Sequence, residues 1–289
     1  MARIGYARVS SVGQSLEVQL DSGEKKGDYM DTLATNEWQH WLRRWDAMQM
    51  VYIPDRETRF AVMFDAIEAA LPASFVALDL ACGPGSLSHR LLARFPHARC
   101  VAVDLDPVLL AIGQGAVGTW GGRLRWLEGD LRGDEWADPL GDATFDAALS
   151  TTALHWLGDQ HLERVYAHMG RLVKPGGVVL NGDRMRYGQR LPTIQRVCDA
   201  MATRTDTDTD KEAGAQDGTE GWRAWWTALS AEPRMHALMA KRAQRFPDDP
   251  DDDEAPTVET HMAALWAAGF REVDAIWQNW HNRVLMAIR

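Results

Sequence analysis

The sequence predicts an α/β fold built on a mostly parallel open sheet, and two observations carry that expectation. Residues Phe75 to Leu92, FVALDLACGPGSLSHRLL, read as a strand, a glycine turn and a helix. Further apolar runs then alternate with segments of helical spacing, two of them ending in acids, at Asp104 and at Glu128-Gly129-Asp130. In the first unit, Phe75-Val76-Ala77-Leu78 is long enough for a buried strand, and Asp79 stands at its end. Ala81-Cys82-Gly83-Pro84-Gly85 makes the turn. Gly83 and Gly85 permit backbone angles that a side chain forbids and let a ligand approach the main chain. Ser86 can cap the next helix, whose Leu87, Leu91 and Leu92 recur at helical spacing. Strand, glycine turn and helix open a nucleotide-binding βα unit.

The kind of ligand follows from what the turn lacks. A dinucleotide fingerprint needs a third glycine where Ser88 stands, and a phosphate loop needs a lysine where Ser86 stands. The Asp79 carboxylate beside the turn repels phosphate and suits a ligand carrying an ammonium and a sulfonium. The run D-x-x-C-G-P-G, Asp79 to Gly85, resembles the first motif of class I S-adenosylmethionine-dependent methyltransferases. An ordinary strand-turn-helix corner is the alternative reading of these seven residues.

Composition narrows the class. The chain has 289 residues, room for one large domain or two small ones, and its hydrophobic fraction of 46% is that of a globular protein. A net charge of −10 argues against a broad nucleic-acid-binding face. Cys82, Cys100 and Cys198 show no disulfide pattern, as expected in a reducing compartment. No apolar run approaches the roughly 20 residues of a membrane span, and no signal peptide opens the chain. The expected location is the cytoplasm; no metal site is read.

Arg3 to Asp21, RIGYARVSSVGQSLEVQLD, resembles the first strand and nucleophile loop of serine recombinases, with Ser10 in the nucleophile position and Arg8 beside it. The resemblance ends near Asp21, with no basic DNA-binding tail or helix-turn-helix pattern after it. A lone strand has no ladder partners. Residues 1–30 are therefore expected to be a poorly ordered leader, and 31–289 one domain.

Two helices are expected between residues 32 and 71, divided at Pro54. Trp38, Trp41, Leu42 and Trp45 line the first, and Val62, Met63, Ile67 and Leu71 the second, as core faces. Tyr52 to Ile67 resembles the helix that precedes the first motif in many small-molecule methyltransferases. The resemblance implies an arginine there on the cofactor carboxylate, Arg59 or alternatively Arg56; a solvated arginine fits the spacing equally.

Cys100 to Val103 is the second strand. Asp104 at its end can accept both ribose hydroxyls of an adenosine, a feature shared with dinucleotide enzymes. Leu105 follows and could pack on adenine, and Pro107 suits a helix's first turn. Leu124 to Leu127 is the third strand. The family resemblance puts Asp130 on the adenine amino group and the Leu131 backbone N–H beside it; a plain Gly-Asp surface turn is the alternative. The fourth strand, Phe145 to Ser150, runs into TTALHWL, Thr151 to Leu157, where the resemblance sets the backbone beside the methyl donor. His155 there is a general base, a substrate-positioning group, or a ring packed on Trp156.

Leu172 to Gly177, LVKPGG, resembles the family's turn before a fifth strand, Val178 to Leu180. Residues 185–256 then break the alternation with two acidic runs, 205–210 and 248–254, and with GWRAWWTAL, Gly221 to Leu229. Trp222, Trp225 and Trp226 share a helical face that either covers the core or forms a substrate lid. A helix, Val258 to Ala268, stops at Gly269. Two strands follow, resembling the family's sixth and seventh, with the seventh antiparallel beside the fifth.

From about 31 to 289 the chain thus resembles a class I methyltransferase. The resemblance implies a doubly wound seven-stranded sheet with a helical insertion at about 185–256, and S-adenosyl-L-methionine as cofactor. It assigns the cofactor to Arg59, Asp79, Ala81, Cys82, Gly83, Gly85, Asp104, Leu105, Asp130, Leu131 and Ser150, and catalysis to His155. The expected activity is methyl transfer to an O, N or C atom of a small molecule. A tRNA-modifying enzyme and a non-catalytic adenosine-ligand-binding protein are the alternatives, and nothing in the sequence reports the oligomeric state.

Overall fold

The computed structural model describes residues 33–53, 55–206, 220–246 and 255–289, with only the backbone of 202–206. The expected leader lies outside the described residues, as do Pro54 and most of the two acidic runs.

Seven strands form a single sheet in the order β3-β2-β1-β4-β5-β7-β6. The strands are β1 (Val76–Leu80), β2 (Arg99–Asp104), β3 (Leu124–Glu128), β4 (Phe145–Thr151), β5 (Val173–Arg184), β6 (Glu272–Asn279) and β7 (Asn282–Ile288). The pairs from β3 to β5 are parallel; β7 enters antiparallel between β5 and β6. The chain winds outward from β1 to β3, then returns to β4 on the other side of β1. The gap between β1 and β4 is therefore the switch point, above whose strand ends open α/β sheets take their ligands.

Helices cover both faces because the strands are apolar on both. On one face Leu78, Leu80, Val103, Ala148 and Val179 pack on α5 (Asp159–Leu172) and α9 (Val258–Ala267). On the other, Ala77, Ala102, Leu149 and Leu180 meet α2 (Arg56–Ala70) and α3 (Ser86–Arg94). A third core lies outside the sheet. There α1 (Thr35–Tyr52) lies on α4 (Pro107–Val117), with Trp38 so close over Gly115 that an added Cβ would approach its ring to 2.3 Å.

The insertion is helical, comprising α6 (Pro192–Asp206), α7 (Trp222–Ser230) and α8 (His236–Arg245). Its tryptophans do pack on the core. Trp225 is fully buried, edge-on to Trp41 and Trp45, while Trp222 stays 39% exposed. Arg242 of α8 stacks on Trp226 at 3.9 Å and bonds Asp106, the N-cap of α4, at 2.6 Å.

Two local expectations need correction. Ser86 does not cap α3: Gly85, at φ +78°, is the cap residue, and the Ser86 hydroxyl donates to Asp46 of α1 at 2.6 Å. The KPGG run is not a separate turn but lies inside a long β5. The register with β4 jumps between Phe145–Val173 and Ala147–Val178, and Lys174 pairs with Asp146 at 2.7 Å. Gly176 at φ +81° lets the strand bulge there.

Candidate functional site

The turn after β1 runs through left-handed backbone. Ala81, Gly83 and Gly85 all have positive φ, at +53°, +54° and +78°. Thr152, just past β4, adopts φ +55°. Left-handed non-glycine residues thus stand at both strand ends that flank the switch point, and such strain concentrates at ligand sites. A Cβ on Gly83 would touch only Leu109, at 3.9 Å, so this position is open. Gly85 is different: a Cβ there would lie 2.3 Å from the Trp126 ring of β3. Gly85 admits that ring beneath the turn.

Asp79 and Asp104 form the electrostatic centre. Asp79 is buried; its Oδ2 accepts from the Ser88 hydroxyl at 2.6 Å, and its Oδ1 has no partner among the described residues. Burial, against the Ser88 bond and with Asp104 nearby, pushes its pKa up to about 7. Asp104 Oδ2 accepts the Gly83 N–H at 2.6 Å and Oδ1 the Asp106 N–H at 2.8 Å. Burial raises it to about 6 in spite of these bonds. Each oxygen retains a lone pair, so the carboxylate can still receive two hydroxyls from one diol. Cys82 is buried below, its N–H on the Val103 carbonyl at 3.0 Å, which ties the turn to β2.

The remaining expected residues fall around this centre unevenly. Leu105 is half-buried after β2; Leu131 is buried in the sheet core. The Asp130 carboxylate is bound to Arg132 at 2.8 Å, which holds it below the usual range although partial burial opposes this. An adenine amino group there would share the carboxylate with Arg132. Ser150 is fully buried and donates to the Leu80 carbonyl at 2.9 Å, bracing β4 on β1 rather than facing outward.

Arg59 and Arg56 are both buried but differ in partners. Arg56 pairs with Asp46 at 3.0 Å. Arg59 reaches over the sheet edge to the Thr152 hydroxyl at 3.0 Å and the Gly182 carbonyl at 3.3 Å. No carboxylate among the described residues lies at ion-pair distance from it, and its Nε has no partner there. Burial lowers it to about 10, Asp183 opposing.

His155 follows β4 in a 3-10 turn, Leu154–Trp156. Its Nδ1 lies 2.7 Å from Asp183 Oδ1, and its backbone N–H donates to Asp183 Oδ2 at 3.1 Å. Asp183, which contacts the candidate His155, is not among the candidates in the sequence, because a fifth strand of Val178 to Leu180 leaves it outside, whereas β5 runs on to Arg184. Its signal was the alternation Val179, Asn181, Asp183, which carries one strand face on to a buried acid.

A partly unpaired acid beside a glycine turn, a second buried carboxylate at the end of the next strand and a buried cation with no carboxylate at ion-pair distance among the described residues are complementary to an adenosyl amino acid. Asp79 suits its ammonium, Asp104 its ribose, Arg59 its carboxylate.

Residues 77–177, from β1 into β5, match the family model described as a methyltransferase domain. Trans-aconitate 2-methyltransferase of Azoarcus sp. (strain BH72) is 30% identical over 135 residues, 47% of this chain and 49% of that protein. An uncharacterised methyltransferase of Mycobacterium tuberculosis is 34% identical over 120 residues, 41% of this chain and 56% of that one. Malonyl-[acyl-carrier protein] O-methyltransferase of Hahella chejuensis is 28% identical over 164 residues, 56% and 48% of the two chains. The chain spans about half the length of these relatives. A crystal structure of a candidate O-methyltransferase from Nostoc punctiforme, 12% identical, superposes with a TM-score of 0.51 over 84% of this chain and 60% of its own, a likeness of fold. The sheet order β3-β2-β1-β4-β5-β7-β6 is that of a doubly wound, mostly parallel sheet with one antiparallel strand. Within it, the segment from Ala77 to Gly177 is the part that the methyltransferase family model matches.

Proposed function

We propose that the protein is an S-adenosyl-L-methionine-dependent methyltransferase acting on a small molecule. The observation that carries this is the Asp79–Asp104 pair around a left-handed glycine turn at the sheet's switch point. The cofactor's ammonium is assigned to Asp79, its ribose to Asp104, its carboxylate to Arg59 and its adenine to Leu105, Asp130 and the Leu131 N–H. Ala81, Cys82, Gly83 and Gly85 are assigned to the pocket wall, and Ser150 to bracing the two strand ends beneath it. When bound, the cofactor supplies an electrophilic methyl group. The chain aligns the acceptor with it, and His155, past β4, serves as base or positioning group for the acceptor.

Negative charge and the Trp-rich insertion favour a small acceptor over tRNA. The names of the relatives, which refer to trans-aconitate and to malonyl-[acyl-carrier protein], support the same class. Helices α6 to α8 are assigned as a cover over the acceptor side. Among the described residues, no helix is long and apolar enough to cross a membrane. The leader is proposed to be dispensable: a chain beginning at Gly27 should keep its cofactor affinity and melting temperature. Calorimetry with S-adenosylmethionine, then a screen of small acceptors for release of S-adenosylhomocysteine, tests the assignment. Binding without turnover across the screen would favour the non-catalytic alternative.

A further inference from the structure

Asp183 is fully buried at the end of β5, yet two of its contacts converge on one residue. Oδ1 meets the His155 ring at 2.7 Å and Oδ2 accepts the His155 backbone N–H at 3.1 Å. Ring and backbone of His155 are thus clamped by one carboxylate, itself fixed by the Arg184 N–H at 2.8 Å. We propose that Asp183 is a positioning residue, which holds His155 to take the proton of a hydroxyl acceptor. This rests on the methyltransferase reading above.

The tautomer follows from the partners. An ionised carboxylate only accepts, so the neutral ring carries its hydrogen on Nδ1 and its lone pair on Nε2. Among the described residues, the groups acting on Asp183 include Arg59 from α2, His261 from α9, Tyr166 from α5 and His155 itself. Asn181 Nδ2 donates to the Tyr166 oxygen at 3.1 Å, so the Tyr166 hydrogen points to His261 Nδ1 at 2.8 Å. Burial lowers His261 to about 4 and keeps it neutral. Burial would raise Asp183, but His155 first, then His261 and Arg59, bring it below the ordinary carboxylate value. Asp183 is therefore an anion, and the ring in direct contact with it is that of His155.

In the transfer, an acceptor oxygen lone pair forms a bond to the methyl carbon. The carbon–sulfur bond breaks and its electron pair stays on sulfur, giving a neutral thioether. The hydroxyl proton passes to His155 Nε2, where Asp183 stabilises the resulting charge, and then to water. A carboxylate acceptor arrives already ionised and has no use for this pair. The clamp therefore points to a hydroxyl-bearing acceptor.

The test uses the full chain with S-adenosylhomocysteine and nitrogen-15 histidine NMR, with His155→Asn to assign the signal. We expect hydrogen on Nδ1 in the wild type. Asp183→Asn should lower the proton affinity of the ring about tenfold, and Asp183→Glu should restore part of it. An unchanged tautomer and midpoint in folded Asp183→Asn overturns the proposal, as does hydrogen on Nε2 in the wild type. If Asp183→Asn does not fold, Asp183→Glu decides: a ring signal shifted from the wild type supports the clamp and an identical one opposes it. Absence of any heat with S-adenosylhomocysteine would instead sink the methyltransferase reading, independently of the NMR result. With a hydroxyl acceptor, Asp183→Asn should lower kcat about 100-fold at unchanged KM. A screen in which only carboxylates are methylated overturns the acceptor assignment.

Discussion

The Asp104 carboxylate at the end of β2 accepts the backbone N–H of Gly83 at 2.6 Å. The acid that ends one strand thereby holds open the turn that ends its neighbour. Loop geometry and the proposed ribose contact meet in a single side chain, so changes at either strand end are expected to reach both.

The buried acids set a pH dependence. Asp79 is raised to about 7 and Asp104 to about 6, against about 3.9 for an unfolded aspartate. Between about pH 4 and 7 the unfolded chain has lost these protons while the folded chain keeps them. Their contribution to stability is therefore fully present below about pH 4 and is lost as pH rises through 6 and 7. Asp79→Asn should make the free protein more stable than wild type at pH 8, with the difference vanishing near pH 4. Cofactor binding, which favours ionised Asp79, should tighten from pH 6 to 8 in the wild type and not in the variant. Denaturation and calorimetry at four pH values check both signs.

Gly85→Ala should destabilise the protein by about 1–3 kcal/mol through overpacking on Trp126, with a further contribution of order 1 kcal/mol from its positive φ. Trp126→Leu in the same chain should recover only the packing part. Urea unfolding of the four members of the cycle measures the split; a fully additive cycle would show that the ring and the glycine do not conflict.

Trp225→Ala removes the ring that joins α7 to Trp41 and Trp45. Loss of a buried tryptophan costs about 3–5 kcal/mol. Affinity for S-adenosylhomocysteine in the folded variant should stay within a few-fold, since the glycine turn and Asp104 are untouched. A large loss of affinity would place this helix at the cofactor.

His155→Ala should reduce methyl transfer about 10²–10⁴-fold at saturating acceptor if the ring is the base. A raised KM, with turnover that still falls at low pH as it does in the wild type, would make it a positioning group. Lower stability with constant turnover would leave only its stacking on Trp156, at 4.7 Å between centroids.

Much of this was legible in the sequence because strand-end acids and glycines are local features. The strand, glycine turn and helix around Gly83 and Gly85, and the terminal strand pair, are legible as fold elements from a few adjacent residues. What escaped depends on contacts between distant segments. Asp183 is 28 residues from His155, and Ser86 is claimed by Asp46, 40 residues away, rather than by its own helix. Trp126 reads as an ordinary strand tryptophan until Gly85 and Gly113, both within 2.5 Å of it if given a Cβ, show what space it fills. KPGG misled because a bulged strand and a turn use glycine for the same backbone freedom.

The central claim is that Asp104 binds the ribose of an adenosyl cofactor. Titration calorimetry with S-adenosylhomocysteine on wild type and Asp104→Ala, side by side at pH 8, tests it most directly. Two charge-assisted hydrogen bonds of about 1.5–3 kcal/mol each predict single-site binding to wild type and at least a 100-fold weaker constant in the variant. No binding to the wild type, or equal constants for both proteins, would contradict the account.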